Sequence, residues 1–254
     1  MTFHRHTSRV DGLIRRLSPK VNFNHLNVAW LAACLLVSVT LVQTSFAAGF
    51  SPGWPGTTLS GVECYGESQG YGPFDYTTDK DKLGVVETYH FTPEVEQLLR
   101  GKSGYIDGDL DYTLRAFPNH HRALWAMSRF YLQKAGRQGY EALDRLERVR
   151  QGFPPPECYL QRAKAFAPHD GMVPAIYGIY LHKRGKLDLA LKEYQSAETK
   201  LPQNAELAYN LGLLYFDLGD VAKAEEYAHR ASALGYPLSG LQNKIARARD
   251  TKRD

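Results

Sequence analysis

Beyond its first 27 residues the chain has no excess of charge of either sign. Five of its 31 basic residues and one of its 27 acidic ones lie in that leader, which carries the whole net +4. A balanced body lacks the basic face that neutralises phosphates, which argues against nucleic acid as the partner. No apolar run is a comfortable membrane span either: residues 28–42 cover about 15 positions, roughly 22 Å as a helix against a hydrocarbon core of roughly 30 Å. Cysteine is scarce, three in all, and no Ser/His/Asp or Cys/His nucleophile set stands out. What is present suffices for a sizeable core, since 254 residues with 43% hydrophobic and 23% charged are neither disordered nor collagen-like.

The first 47 residues read as a targeting segment. A polar, basic stretch precedes the apolar run 28–42, and Ser45-Phe46-Ala47 places small residues where a signal peptidase reads. Cleavage after Ala47 is the expectation, with an uncleaved anchor as the alternative; either places the body in the periplasm or outside the cell, the anchor on the outer side of an inner membrane. Leu31-Ala32-Ala33-Cys34 is a poor lipoprotein box because the apolar stretch continues past the cysteine. Arg15-Arg16 is a poor twin-arginine signal because Leu17-Ser18-Pro19 lacks the apolar pair expected there.

Cys64 and Cys158 remain after the leader, in a compartment that permits disulfides. If paired they tether an N-terminal arm to the rest; the alternative is two separate buried thiols. That arm, residues 48–90, is rich in Gly and Pro with Tyr65, Tyr71, Phe74 and Tyr76 interleaved, so turns and extended pieces are expected. Its rings need cover, which the helical body would supply unless they form a binding loop.

The strongest signal is a spacing of 34 residues that relates Gly178, Gly185, Ala190 and Ala197 to Gly212, Gly219, Ala224 and Ala231. Small residues at this period mark helix crossings in a helix-turn-helix repeat. Gly178 and Gly212 fall inside a helix, where glycine costs about 1 kcal/mol against alanine, so close approach of a second helix is expected there. Gly185 and Gly219 suit helix ends, and Pro202 and Pro237 stop the second helices. With Ala208-Tyr-Asn-Leu211-Gly212-Leu-Leu-Tyr215 and Pro174-Ala-Ile-Tyr177-Gly178-Ile-Tyr-Leu181, the chain closely resembles the tetratricopeptide repeat family. The resemblance implies an all-α solenoid over residues 91–254. Its parts are regular repeats at 171–204 and 205–238, a degenerate repeat at about 120–168 interrupted by Pro154-Pro155-Pro156, and a capping helix at 238–250. Within the degenerate repeat, His121 to Lys134 reads as the first helix, broken by Gly136 and Gly139. Phe74-Asp75-Tyr76, His90-Phe91-Thr92-Pro93-Glu94 and Gly108-Asp109-Leu110-Asp111-Tyr112 resemble a run found in secreted bacterial proteins of this type, which brings no activity with it.

Such solenoids bind through the concave face lined by first helices. The stripe not used for packing is Arg122, Trp125 and Arg129, then Ile179, His182 and Lys183, then Tyr209, Leu213 and Phe216. This mixed aromatic and basic groove suits a peptide or partner protein held by a scaffold, unless the arm or a second copy fills it in a structural homo-oligomer. A carboxylate-gripping set of Lys, Arg and Asn is not supported. The competing reading is a small metal-dependent or acid-base enzyme built on Asp107, Asp109, Asp111, His120 and His121 with His90 nearby. The spacing opposes it: Tyr112 and Pro118 stand where a calcium loop needs Gly and Glu, and adjacent histidines on a helix diverge by about 100°. No cofactor or metal is expected.

Overall fold

A computed structural model describes residues 54–68 and 70–250. The leader, with its cleavage site or anchor, lies outside the described residues. Among the described residues eleven helices follow one another: α1 Lys80–His90, α2 Pro93–Glu96, α3 Ile106–Ala116, α4 His121–Gln138, α5 Tyr140–Arg148, α6 Pro156–Phe166, α7 Met172–Lys183, α8 Leu187–Glu198, α9 Ala205–Asp217, α10 Val221–Ala233 and α11 Gly240–Asp250. Among the described residues the only β pairing is an isolated bridge between Thr57 and Glu63, and no helix is long and apolar enough to cross a membrane.

The turns between hairpins explain the regularity. Phe117-Pro118-Asn119-His120, Ala167-Pro168-His169-Asp170 and Leu201-Pro202-Gln203-Asn204 each stop one helix with proline and then cap the next with a polar side chain. Asn204 Oδ1 accepts from Leu207 N at 2.8 Å, Asp170 Oδ1 from Met172 N at 3.0 Å, and His120 Nδ1 from Ala123 N at 3.2 Å. Within the hairpins α7–α8 and α9–α10 the chain reverses at Gly185 and Gly219, whose φ values of 68° and 85° favour glycine. Leu110, Leu114, Leu124, Leu160, Leu181, Leu211, Leu214 and Leu241 run through one buried core with Tyr159, Tyr180 and Tyr194.

Helix crossings are tightest at the mid-helix glycines. A Cβ at position 178 would lie 2.4 Å from Tyr194 Cδ1, and one at 212 would lie 2.4 Å from Leu241 Cδ2. Gly136, in contrast, has nothing within 4 Å of its Cβ direction. Opposite signs are therefore expected for one substitution. Gly178→Ala loses roughly 1–2 kcal/mol because overpacking against a buried ring outweighs the helix-propensity gain, whereas Gly136→Ala gains up to about 1 kcal/mol. Urea denaturation of both variants checks this; a gain at both positions would show the α7–α8 crossing to be looser than described.

Two boundaries differ from expectation. The arm was expected to be irregular through residue 90, but α1 begins at Lys80. The Gly/Pro density ends at Pro73, and Gly84, whose Cβ direction is empty, is tolerated inside the helix. The first helix of the degenerate repeat does not stop at Lys134: α4 runs through the open Gly136 and ends at Gly139, where φ reaches 80°.

The arm lies along α3, α5 and α6. Cys64 is bonded to Cys158, which stands on α6. Around that bond Gln161 Nε2 donates to Thr57 O at 2.8 Å, Leu59 N donates to Glu157 Oε1 at 2.8 Å, and Ser60 Oγ donates to Glu147 Oε2 at 2.8 Å. The arm's rings find cover: Trp54 meets Tyr159 edge-on at 4.9 Å, Phe74 packs on Phe117 at 5.5 Å, and Tyr76 lies 4.3 Å from the His120 ring.

Candidate functional site

Helices α4, α7 and α9 line a cavity of about 340 Å³. Arg122 and Trp125 enter it from α4, Ile176, Ile179 and Lys183 from α7, and Glu206, Leu207 and Asn210 from α9, with His121, Met172 and Asn204 at its edge. A second cavity of about 320 Å³ shares Ile179, Lys183, Tyr194 and Asn210 with the first and continues past His182, Leu213 and Asp217 to Lys244 on α11. The two form one groove. None of the described arm residues lines it.

Of the residues singled out from sequence, Arg122, Trp125, Ile179, His182, Lys183 and Leu213 come together here. Arg129, Tyr209 and Phe216 line neither cavity. The Arg129 guanidinium donates to the Glu96 carbonyl beside α2. Tyr209 stacks on Tyr236 at 4.3 Å next to the start of α11. Phe216 is covered by the Lys244 ammonium, 4.6 Å from its ring centre. Neighbouring elements occupy these three places, which the 34-residue pattern alone does not reveal. Lys244 and Asn210 were missed although the signal existed: they lie one period apart, so extending the stripe into the capping helix finds Lys244.

The groove's charges are mostly spent. Arg122 Nε donates to Glu96 Oε1 at 2.8 Å and its Nη1 reaches Glu87 at 3.3 Å. Hydrogen bonds from Arg122 hold the Glu96 carboxyl below the usual range, and His120 does the same for Glu87. Asp217 takes a proton bond from His182 at 3.0 Å and another from Lys244 at 2.6 Å. Burial alone would raise its pKa, but the hydrogen bonds from Lys244 and His182 hold it low. Lys183 and Glu206 are the charged lining groups with no ion-pair partner among the described residues.

The Asp/His segment is engaged elsewhere. Asp109 is buried and accepts from Lys102 N at 2.6 Å and Ser103 N at 3.0 Å, with His90 Nδ1 3.0 Å away. Asp111 accepts from the Tyr159 hydroxyl at 2.6 Å and from Arg115 Nε at 2.8 Å; burial raises its pKa against those bonds. Because His120 Nδ1 accepts the cap bond, its Nε2 carries the proton and donates to Glu87, and burial pushes this ring toward neutrality. His121 turns away to Asp170 at 2.7 Å. Among the described residues no three His, Cys, Asp or Glu side chains converge as a metal-ligand set.

Stacked helical hairpins with small residues at the crossings and an open groove along their first helices define a tetratricopeptide-like α-solenoid. Residues 180–219, from the last turn of α7 to the end of α9, match the family model of the TPR repeat. No curated protein matches the chain.

Proposed function

We propose that the protein is an exported scaffold that holds an extended peptide segment of a partner protein in this groove, in the cell envelope of a bacterium. TPR repeats generally mediate protein–protein contacts. The observation that carries the reading is the groove itself: an apolar floor of Trp125, Ile176, Ile179, Leu207 and Leu213 that the described arm leaves open, with Lys183 and Glu206, unpaired among the described residues, beside it. An apolar floor with a few convergent polar groups is what peptide recognition uses. The Cys64–Cys158 bond supports export, because such bonds persist in oxidising compartments. Asp109, Asp111 and His120 are spent on loop amides, on Tyr159 and Arg115, and on a helix cap, which favours the scaffold over the enzymatic reading.

Photo-crosslinking in cells from positions 125, 183 and 213, followed by identification of captured peptides, tests the reading. Trp125→Ala is expected to weaken the captured complex about 30-fold or more, the size of an aromatic hot spot. Lys183→Glu, on an exposed side chain that leaves the fold intact, should weaken it several-fold. Crosslinks to the chain's own residues or to a second copy, with no partner peptide, would replace the scaffold by a self-filled groove.

A further inference from the structure

Two loops away from the groove share an unusual composition. The connection from α2 to α3 includes Leu99-Arg100-Gly-Lys102-Ser-Gly-Tyr105, and the chain leaving α5 reads Arg148-Val149-Arg150-Gln-Gly-Phe153, with Arg148 the last helical residue. Leu99 is 70% exposed, Tyr105 87%, Val149 69% and Phe153 44%. In both loops exposed apolar side chains alternate with cations. The loops are neighbours: the Phe153 ring edge lies 3.7 Å from where a Cβ on Gly108 would stand, one turn from Tyr105.

Both loops are also braced, so these side chains are held out rather than left loose. Asp109 receives the Lys102 and Ser103 amides, and Ser103 Oγ donates to Tyr89 O at 2.9 Å. Gly101 passes so close to the Gly104 carbonyl that a Cβ would lie 2.0 Å from it, which closes the loop tightly. The second loop turns through Arg150 and Gly152 at φ 51° and 89° and is anchored by the buried Pro154 and Pro155. Glu94 offsets Arg100 by pairing with it, whereas Glu147 is buried against Tyr131 and Ser60 and Asp107 is half-buried, so Lys102 and Arg148 keep their charge without an ion-pair partner among the described residues.

We infer that these loop tips form a docking surface for an anionic lipid bilayer. The geometry suits that occupant: single apolar prongs between cations enter a fluid interface, Tyr and Phe sit at its boundary, and Arg and Lys meet the headgroup charge. A protein interface instead favours a contiguous core depleted of charge. Docking by this surface leaves the groove accessible, because none of these residues lines it.

Residues 50–254 form a compact unit by themselves, so the chain beginning at Ala48 is assayed directly and residues 28–42 contribute nothing. Co-sedimentation with vesicles of one part phosphatidylglycerol to three parts phosphatidylcholine is expected to show binding that is absent with phosphatidylcholine alone and fades in 0.5 M salt. Lys102→Glu with Arg148→Glu should weaken binding at least 25-fold, about fivefold per cation lost near such a surface. Tyr105→Asp with Phe153→Asp should weaken it roughly tenfold or more, with the helical circular dichroism unchanged in both double variants. No binding to the anionic vesicles, binding that neither double variant alters, or a photo-crosslinker at position 105 that captures a protein while the vesicles stay unbound would each overturn the inference.

Discussion

Reducing the Cys64–Cys158 bond lowers the unfolding free energy by about 4 kcal/mol, because a crosslink spanning 94 positions takes a large amount of entropy from the unfolded chain. The contacts around it are individually modest. Leu59 and Ser60 each give one hydrogen bond to a buried carboxylate, and Gln161 exchanges two with Thr57; each such bond nets about 1 kcal/mol. Reduction should therefore move the whole urea transition to lower concentration while the helical signal at zero denaturant persists. The arm, which loses its covalent hold, should become the first site of proteolysis. Cys64→Ala with Cys158→Ala gives the same result without reductant, and alanine suits both fully buried positions. A loss below about 1 kcal/mol would show that the bond does not constrain the unfolded chain to the extent its span implies.

Sequence and structure agree where periodicity is strict and part where packing decides. The 34-residue spacing marks Gly178 and Gly212 as close crossings with a second helix, since a mid-helix glycine has few other uses; the side chains met there, Tyr194 and, from the capping helix, Leu241, come from the structure. Helix α1 was not legible. Its low apolar content and Gly84 mask it, and only Val86 among its residues is buried. The groove was half legible. Ile179, Lys183 and Leu213 follow from the period, but Arg129 is taken by α2, which lies outside the repeats, and Tyr209 by Tyr236 at the end of the last repeat. The Asp/His segment shows the converse. Residue types that suggest chemistry serve as helix caps and buried struts here, and that role depends on partners such as Tyr159 and Asp170, 48 and 49 positions away.

Replacing Glu157 by alanine costs roughly 3 kcal/mol at pH 5 and clearly less at pH 8. This carboxyl is fully buried at the start of α6; its Oε2 accepts from the Tyr180 hydroxyl at 2.7 Å and its Oε1 from the Leu59 amide. Arg184 already donates to the same tyrosine oxygen at 2.7 Å, so without Glu157 the Tyr180 proton has no acceptor, and a small void opens beside it. The pH dependence follows from burial. Desolvation raises the Glu157 pKa more than the Leu59 and Tyr180 hydrogen bonds lower it, and Glu147 nearby pushes it further up. A carboxyl whose folded pKa exceeds its unfolded value of about 4.3 adds its full stability below that value and loses it as pH rises through the folded pKa. Other shifted groups, Asp111 and His120 among them, titrate alike in both proteins and cancel in the difference. Urea denaturation across this range, with Tyr180→Phe and the double variant closing a cycle, isolates the pair. A deficit that stays constant or grows toward pH 8 would mean that the carboxylate enters the fold ionised at no penalty, contrary to its burial.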